Sequence, residues 1–289
     1  SSCCVRSWRN STLHSVCARL INDYALELGL TPELRVLDDR LAAHAMRIAL
    51  EAEVGDDERA ELDELAERFG DFDWARQVRD VIALARANDI DAEALQHSAE
   101  SSVAGLLALL PDPRAVGELE AELLPVLSAV LAGPEPHRDN LREERRAQHE
   151  MQRALARGDA LSWTQWLALA NHSSPALKRV GAAHTAHPLL RADLQRATEL
   201  VVAIAQRVLG RYQGEKRRWG ALDFVDQEVE ALRLLRDASV HDRLREDIAL
   251  VLVDEMQDTS PIQLAILSEL SAIARHSVFV GDQKQAIFG

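Results

Sequence analysis

Cysteines, aromatic residues and long apolar runs are scarce among these 289 residues, and each shortage removes a class of protein. The three cysteines, Cys3, Cys4 and Cys17, are odd in number and two are adjacent, so no disulfide framework is expected and a reduced compartment is implied. His14 and Cys17 stand one helical turn apart, but no second ligand pair follows to complete a metal site. No run of about 18 apolar residues and no signal-like start occurs, which predicts a cytoplasmic protein without a membrane segment. Aromatics make up 4% of the residues, while alanine and leucine dominate a 47% hydrophobic content, a balance that favours helices. A basic excess is also missing. The net charge of -14 opposes the usual electrostatic signature of a nucleic-acid binder. The charges are unevenly spread, however: 51–67 is strongly acidic, whereas Arg207, Arg211, Lys216, Arg217 and Arg218 cluster beside Tyr212 and Trp219. That basic-aromatic cluster reads either as a DNA contact or as a solvated helix face.

The informative residues lie near the end of the chain. Ile248 to Val253 is an apolar run that stops at two adjacent acids, Asp254 and Glu255. A buried parallel strand delivering carboxylates to the carboxyl edge of a sheet has this pattern, and open α/β folds bind ligands at that edge. Two neighbouring acids can then divide the work of phosphoryl transfer. Asp254 can hold Mg²⁺, which prefers hard oxygens and sits between carboxylates and substrate phosphates. Glu255 can orient and deprotonate the attacking water. Next, Ser260-Pro261-Ile262-Gln263 combines an N-cap serine, a proline at the first helical position and a glutamine closing a capping box. The predicted helix runs to about Ala274 and leads into a second apolar run, 277–280. This is a β-α-β unit, and its right-handed crossover makes the strands parallel. Asp254 and Glu255 should therefore emerge at the same sheet edge as the Gly281-Asp282-Gln283-Lys284-Gln285 segment.

In wording as well as chemistry, Val253-Asp-Glu-Met-Gln-Asp-Thr-Ser-Pro-Ile-Gln263 resembles motif II of the UvrD/Rep class of superfamily 1 helicases. Gly281-Asp-Gln-Lys-Gln-Ala-Ile-Phe-Gly289 resembles their motif III. Thr12-Leu-His14 is similar to the Thr-x-His of motif Ib, and Leu222-Asp-Phe-Val-Asp226 to the stretch returning from the helical insertion. The wording of motifs II and III leans toward the AddA/RecB branch of helicase-nucleases. The resemblance implies ATP and Mg²⁺ as cofactors, single-stranded and duplex DNA as partners, and a nuclease partner subunit or a fused nuclease domain. It implies Asp254 as metal ligand, Glu255 as general base, and Gln257 and Asp258 as links from the nucleotide to the rest of the motor. Gln285 would sense the γ-phosphate, with Asp282 fixing the loop. Thr12, His14 and Phe288 would contact DNA, Phe288 by stacking where the family usually has tyrosine. Read without the resemblance, His14 is an ordinary half-buried residue at a helix start and Phe288 a core residue.

The expected fold class is α/β, a partial RecA-like P-loop NTPase motor domain with a large all-helical insertion. Residues 1–37 form the first motor piece, 38–219 the helical insertion and 220–289 the motor return. Helices are predicted over 10–28, 38–54, 58–69, 74–88, 92–109, 115–131, 141–157, 162–170 and 189–212, with a loop over 172–188. One more runs from about 222 through 235, and strands appear only after Glu246. No Gly-x-x-x-x-Gly-Lys-[Ser/Thr] loop occurs in the 289 residues, so the amides and lysine that cradle β- and γ-phosphates are not supplied here. The sequence thus reads as an internal piece of an ATP-dependent helicase, or alternatively as a helicase-derived DNA-binding or interaction module without ATPase activity. By itself the segment should show no measurable Mg-ATP affinity in a calorimetric titration, and micromolar binding would overturn that expectation.

Overall fold

The computed structural model describes residues 12–27, 35–70, 72–134 and 139–282. In chain order its elements are α1 (Leu13–Asp23), β1 (Arg35–Val36), α2 (Asp39–Glu53), α3 (Asp56–Phe69), α4 (Trp74–Ala87) and α5 (Ala92–Ala108). Then follow α6 (Glu118–Leu131), α7 (Asp139–Arg157), α8 (Trp163–Ala170), α9 (Pro175–Ala182), α10 (Pro188–Arg218) and β2 (Ala221–Leu222). The chain continues through α11 (Phe224–Arg236), α12 (Ala238–Asp247), β3 (Leu250–Val253), α13 (Pro261–Ile273) and β4 (His276–Phe279). The described residues fall into two compact units, one drawn from Ser1–Glu53, Asp80–Ala94 and Gln206–Gly289, the other from Val54–Arg79 and Leu95–Ala205.

The second unit, as described, is helical throughout. Leu119, Leu123, Leu127 and Leu131 recur at every fourth residue of α6 and form its buried stripe, against Trp166 and Leu169 of α8 and Leu177 and Val180 of α9. The close approach of α8 and α9 requires glycine at position 181, where a Cβ would lie 2.4 Å from the Ala170 backbone nitrogen. Asp193 is buried, but its Oδ2 accepts from Trp163 Nε1 at 2.8 Å and pairs with Arg68 at 2.8 Å, so that oxygen is satisfied. Helix α9 falls inside the 172–188 stretch expected to be a loop. Ser174 and Pro175 are its start signal, in the positions that favour a helix opening. At eight residues it is too short for its periodicity to stand out.

The first unit holds the described strands. β1 and β2 pair in parallel, with Arg35 opposite Ala221 and Val36 opposite Leu222. Strands were expected only after Glu246, and a two-residue strand carries no alternation by which sequence could reveal it. β3 and β4 also pair in parallel, Leu250 opposite His276 through Val253 opposite Phe279. Helix α13 forms the crossover, opened by the expected Ser260 cap and Gln263 capping box. Its Ile262, Ile266, Leu270 and Ile273 pack with Cys17, Leu20 and Ile21 of α1 and with Ala231, Leu232 and Leu235 of α11. Val251 joins this core from β3, whereas Leu250, Leu252, Val278 and Val280 are exposed. The expectation of a buried strand is therefore not met: β3 is half-buried on one face and exposed on the other. Alternation puts these four side chains on the side opposite α13, and no described element covers that side.

A buried ionic network closes this unit around the N-terminus of α11. Asp223 caps that helix, accepting from the Asp226 amide at 3.0 Å. Its carboxylate also takes Arg86 Nη2 at 2.5 Å, Tyr212 Oη at 2.6 Å and Lys216 Nζ at 3.0 Å, while Lys216 and Arg86 both reach Asp226 as well. The basic-aromatic cluster is thereby divided. Tyr212 and Lys216 lie one turn apart on the inner face of α10 and are 1% and 2% exposed, so they are structural and cannot meet a DNA strand. On the outer face Arg207 donates to the Glu53 carbonyl and Arg211 pairs with Glu53 at 3.2 Å.

Burial would raise the Asp223 carboxyl, but the Arg86 guanidinium and the Lys216 ammonium hold it well below the usual carboxylate range. A depressed folded value means the stabilisation is complete above about pH 4, where an unfolded aspartate ionises, and is lost as the pH falls toward the folded value. Asp223→Asn would leave the two buried cations short of a partner. It should lower stability by about 3–5 kcal/mol and flatten the acid limb of a plot of urea midpoint against pH; an unchanged acid limb would show that Asp223 does not carry it.

Candidate functional site

The carboxyl ends of β3 and β4 lie side by side, and the chain uses both backbone and side chain to keep them there. Val280 N donates to the Val253 carbonyl at 2.8 Å, and Met256 N donates to the Val280 carbonyl at 3.1 Å, carrying the pairing past the last strand residues. Between these bonds the backbone turns sharply. Glu255 adopts left-handed angles, φ 56° and ψ 42°, a conformation that only a few per cent of non-glycine residues take. Asp254 Oδ1 accepts from the Glu255 amide at 3.0 Å and supports the turn. Asp254 and Glu255 are consequently exposed at the open end of the strand pair.

Gln257 joins the two strand ends. Its Nε2 donates to Glu255 Oε2, and its Oε1 accepts from the Asp282 amide at 3.0 Å. One planar amide thus fixes the rotamer of Glu255 and anchors the loop that leaves β4. The joint is tight enough to specify its neighbour: a Cβ on residue 281 would lie 2.9 Å from Gln257 Oε1 and 3.2 Å from Met256 Cβ. Met256 to Asp258 form a single 3₁₀ turn, and the Thr259 hydroxyl closes it by donating to the Met256 carbonyl at 2.8 Å. That turn delivers the chain to Ser260 and the first turn of α13. Of the candidate residues, Asp254, Glu255, Gln257 and Asp282 therefore meet in one place. Asp258 has a described backbone in the turn, while its side chain, Gln285 and Phe288 lie outside the described residues.

Thr12 and His14 lie at the start of α1 in the same unit. Thr12 is the N-cap, its Oγ1 accepting from the Ser15 amide at 3.4 Å, and it is exposed. His14 has a side chain 40% accessible and is held by α11 on two sides. Its ring meets the Phe224 ring edge-on at 5.0 Å, and Nε2 lies 3.2 Å from Glu228 Oε1. That carboxylate is 4% exposed and also accepts from Gln263 Nε2 at 2.7 Å. Sequence reasoning passed over Glu228. The available signal is positional, since it sits one turn from Phe224 and from Leu232 on the helix face that faces the core. Beside it, burial and then the Glu228 charge push the Cys17 thiol up to about 12, which keeps it protonated and unreactive at neutral pH.

Among the described residues no group of three or more His, Cys, Asp or Glu side chains is gathered to hold a metal. One or two exposed carboxylates are instead the donor set for Mg²⁺ shared with substrate phosphates and water, because that ion keeps much of its hydration shell. No helix among the described residues is long and apolar enough to cross a membrane.

Over residues 3–289 the chain matches the UvrD/REP helicase N-terminal domain family. It is similar to an ATP-dependent helicase/nuclease subunit of Geobacillus thermodenitrificans, 26% identical across 96% of this chain and 28% of that protein. The protein of the same name from Carboxydothermus hydrogenoformans is 39% identical over 88 residues, 30% of this chain and 8% of that one. The RecB component of the RecBCD enzyme of Mycobacterium tuberculosis is 42% identical over 83 residues, 28% of this chain and 7% of the relative. The chain spans less than a third of the length of these curated relatives. Gly281→Ala should break the Gln257–Asp282 joint, and hydrogen exchange at the Asp282 amide should accelerate at least about tenfold, the equivalent of one hydrogen bond; unchanged exchange would show that the joint tolerates a Cβ.

Proposed function

The chain belongs to the UvrD/REP helicase N-terminal domain family, and from that premise we propose that it is part of an ATP-dependent DNA helicase or translocase. It couples ATP hydrolysis to movement on single-stranded DNA in double-strand break repair or recombination. We read its strand-bearing parts as a piece of a RecA-like motor domain and 38–219 as the helical insertion. The observation that carries the reading is the joint at the strand ends, where Gln257 ties Glu255 to the backbone of Asp282 beside the exposed Asp254. The relatives' names, which couple helicase with nuclease or name a subunit of a larger enzyme, support a nuclease as fused domain or partner subunit; the recombination role and a cytoplasmic setting belong to the same proposal.

In this mechanism Asp254 would hold the Mg²⁺ that accompanies the nucleotide. Bound Mg-ATP would supply the transferable phosphoryl group and neutralise charge that develops on it. Glu255 takes the proton of the attacking water through the carboxylate oxygen that Gln257 leaves free. The left-handed backbone at Glu255 turns that side chain out of the strand line, and Gln257 limits its rotamers, so the base is oriented before substrate arrives. Gln285 would sense the terminal phosphate, with Asp282 fixing the loop, and Gln257 and Asp258 would link nucleotide state to the rest of the motor. Thr12 and His14 contact the DNA strand, and Phe288 offers it a ring for stacking.

In the full-length protein Glu255→Gln should reduce DNA-stimulated ATP turnover by about 10²–10⁴-fold, the contribution of a positioned general base. Nucleotide binding, measured with a fluorescent ATP analogue, should stay within about threefold, well under the tenfold that ~1.4 kcal/mol of binding energy represents. Near-normal turnover would refute the assignment of Glu255.

A further inference from the structure

One carboxylate oxygen connects the DNA-contact segment to the helix that begins at the nucleotide site. Glu228 Oε1 lies 3.2 Å from His14 Nε2 on one side and accepts from Gln263 Nε2 at 2.7 Å on the other. Gln263 in turn uses its Oε1 to accept from the Ser260 amide at 3.2 Å. Ser260 follows directly on the turn of Met256 to Asp258, which Thr259 locks through the Met256 carbonyl. Hydrogen bonds and short chain segments therefore lead from Gln257 and Glu255 to Glu228, whose carboxylate stands against the imidazole of His14.

The position of Glu228 makes this costly to leave unmade. It lies on the inner face of α11, 4% exposed, among Cys17, Leu232 and the α13 core. A buried carboxylate with a lost partner carries most of its desolvation penalty unrelieved. A shift of α13 that drew Gln263 away from Glu228 would leave that penalty to be met by a tighter bond to His14, by solvent, or by movement of α1. The two contacts share a single oxygen, so the partner of that oxygen on one helix competes with its partner on the other.

Resting on the helicase reading above, we infer that Glu228 is a positioning residue through which nucleotide state at Asp254 and Glu255 changes the grip of Thr12 and His14 on single-stranded DNA. It touches neither nucleotide nor DNA and acts through Gln263 and His14.

The test is a linkage measurement on the full-length protein. Affinity for a fluorescent oligothymidylate is measured without nucleotide and with a non-hydrolysable ATP analogue, and the ratio of the two is the coupling factor. Glu228→Leu should shrink that ratio at least about fivefold, the lower end of ordinary coupling free energies. Glu228→Gln, which keeps an oxygen acceptor at the same place, should preserve most of it. Gln263→Met cuts the same link from the other side and should shrink the ratio too, so the result does not hang on tolerance of one buried substitution. An unchanged ratio in Glu228→Leu and Gln263→Met overturns the proposal, as does an equal loss of affinity in both nucleotide states. If the wild-type protein binds no single-stranded DNA, the helicase reading itself fails and this inference falls with it.

Discussion

Parallel pairing of β3 with β4 is the constraint from which the site follows. Parallel strands cannot be joined by a tight turn, so the chain must climb back through a crossover, and α13 is that crossover. The helix needs a core to lie on, which α1 and α11 provide. Once it is seated, both strands run in the same direction and both end at one edge. The acids after β3 and the loop after β4 are then neighbours by topology, although Glu255 and Asp282 are well separated in sequence. Gln257 secures at the level of side chains what the crossover has already arranged for the backbone.

Those parts of the fold whose chemistry is local were legible in the sequence. Ser260, Pro261 and Gln263 announce the start of α13 because each satisfies or avoids a specific backbone donor, and that requirement does not depend on the rest of the molecule. The α6 helix was likewise expected, over 115–131. Features that depend on distant partners were not visible. β1 and β2 exist because residues at 35–36 and 221–222 are brought together, and neither segment has a pattern of its own. The exposed side of β3 has the apolar composition of a covered strand, so composition alone could not show that only one side has a described neighbour. At the site, the backbone angles of Glu255, the bridging amide of Gln257 and the buried position of Glu228 required coordinates.

Charge behaves in the same way. The basic run near the end of α10 suggested a surface for phosphates, but helical periodicity divides it between two faces with different fates. Lys216 turns inward and, with Arg86, neutralises two carboxylates at the head of α11; Arg207 and Arg211 turn outward and engage Glu53. A one-dimensional count of positive residues does not distinguish these roles. The burial that makes Lys216 unavailable also lowers its proton affinity, with the neighbouring Arg86 adding to the effect and the two aspartates opposing it.

Cys17 gives the molecule an intrinsic probe of its own interior. Its sulfur is fully enclosed between α1 and its neighbours, and the thiol is held in the form that alkylating reagents ignore. Chemical modification at this position can proceed only in moments when α1 parts from the helices beneath it. With Cys3 and Cys4 replaced by serine, the rate of labelling at Cys17 would therefore clock the separation of α1 from the core, without any foreign reporter group being introduced.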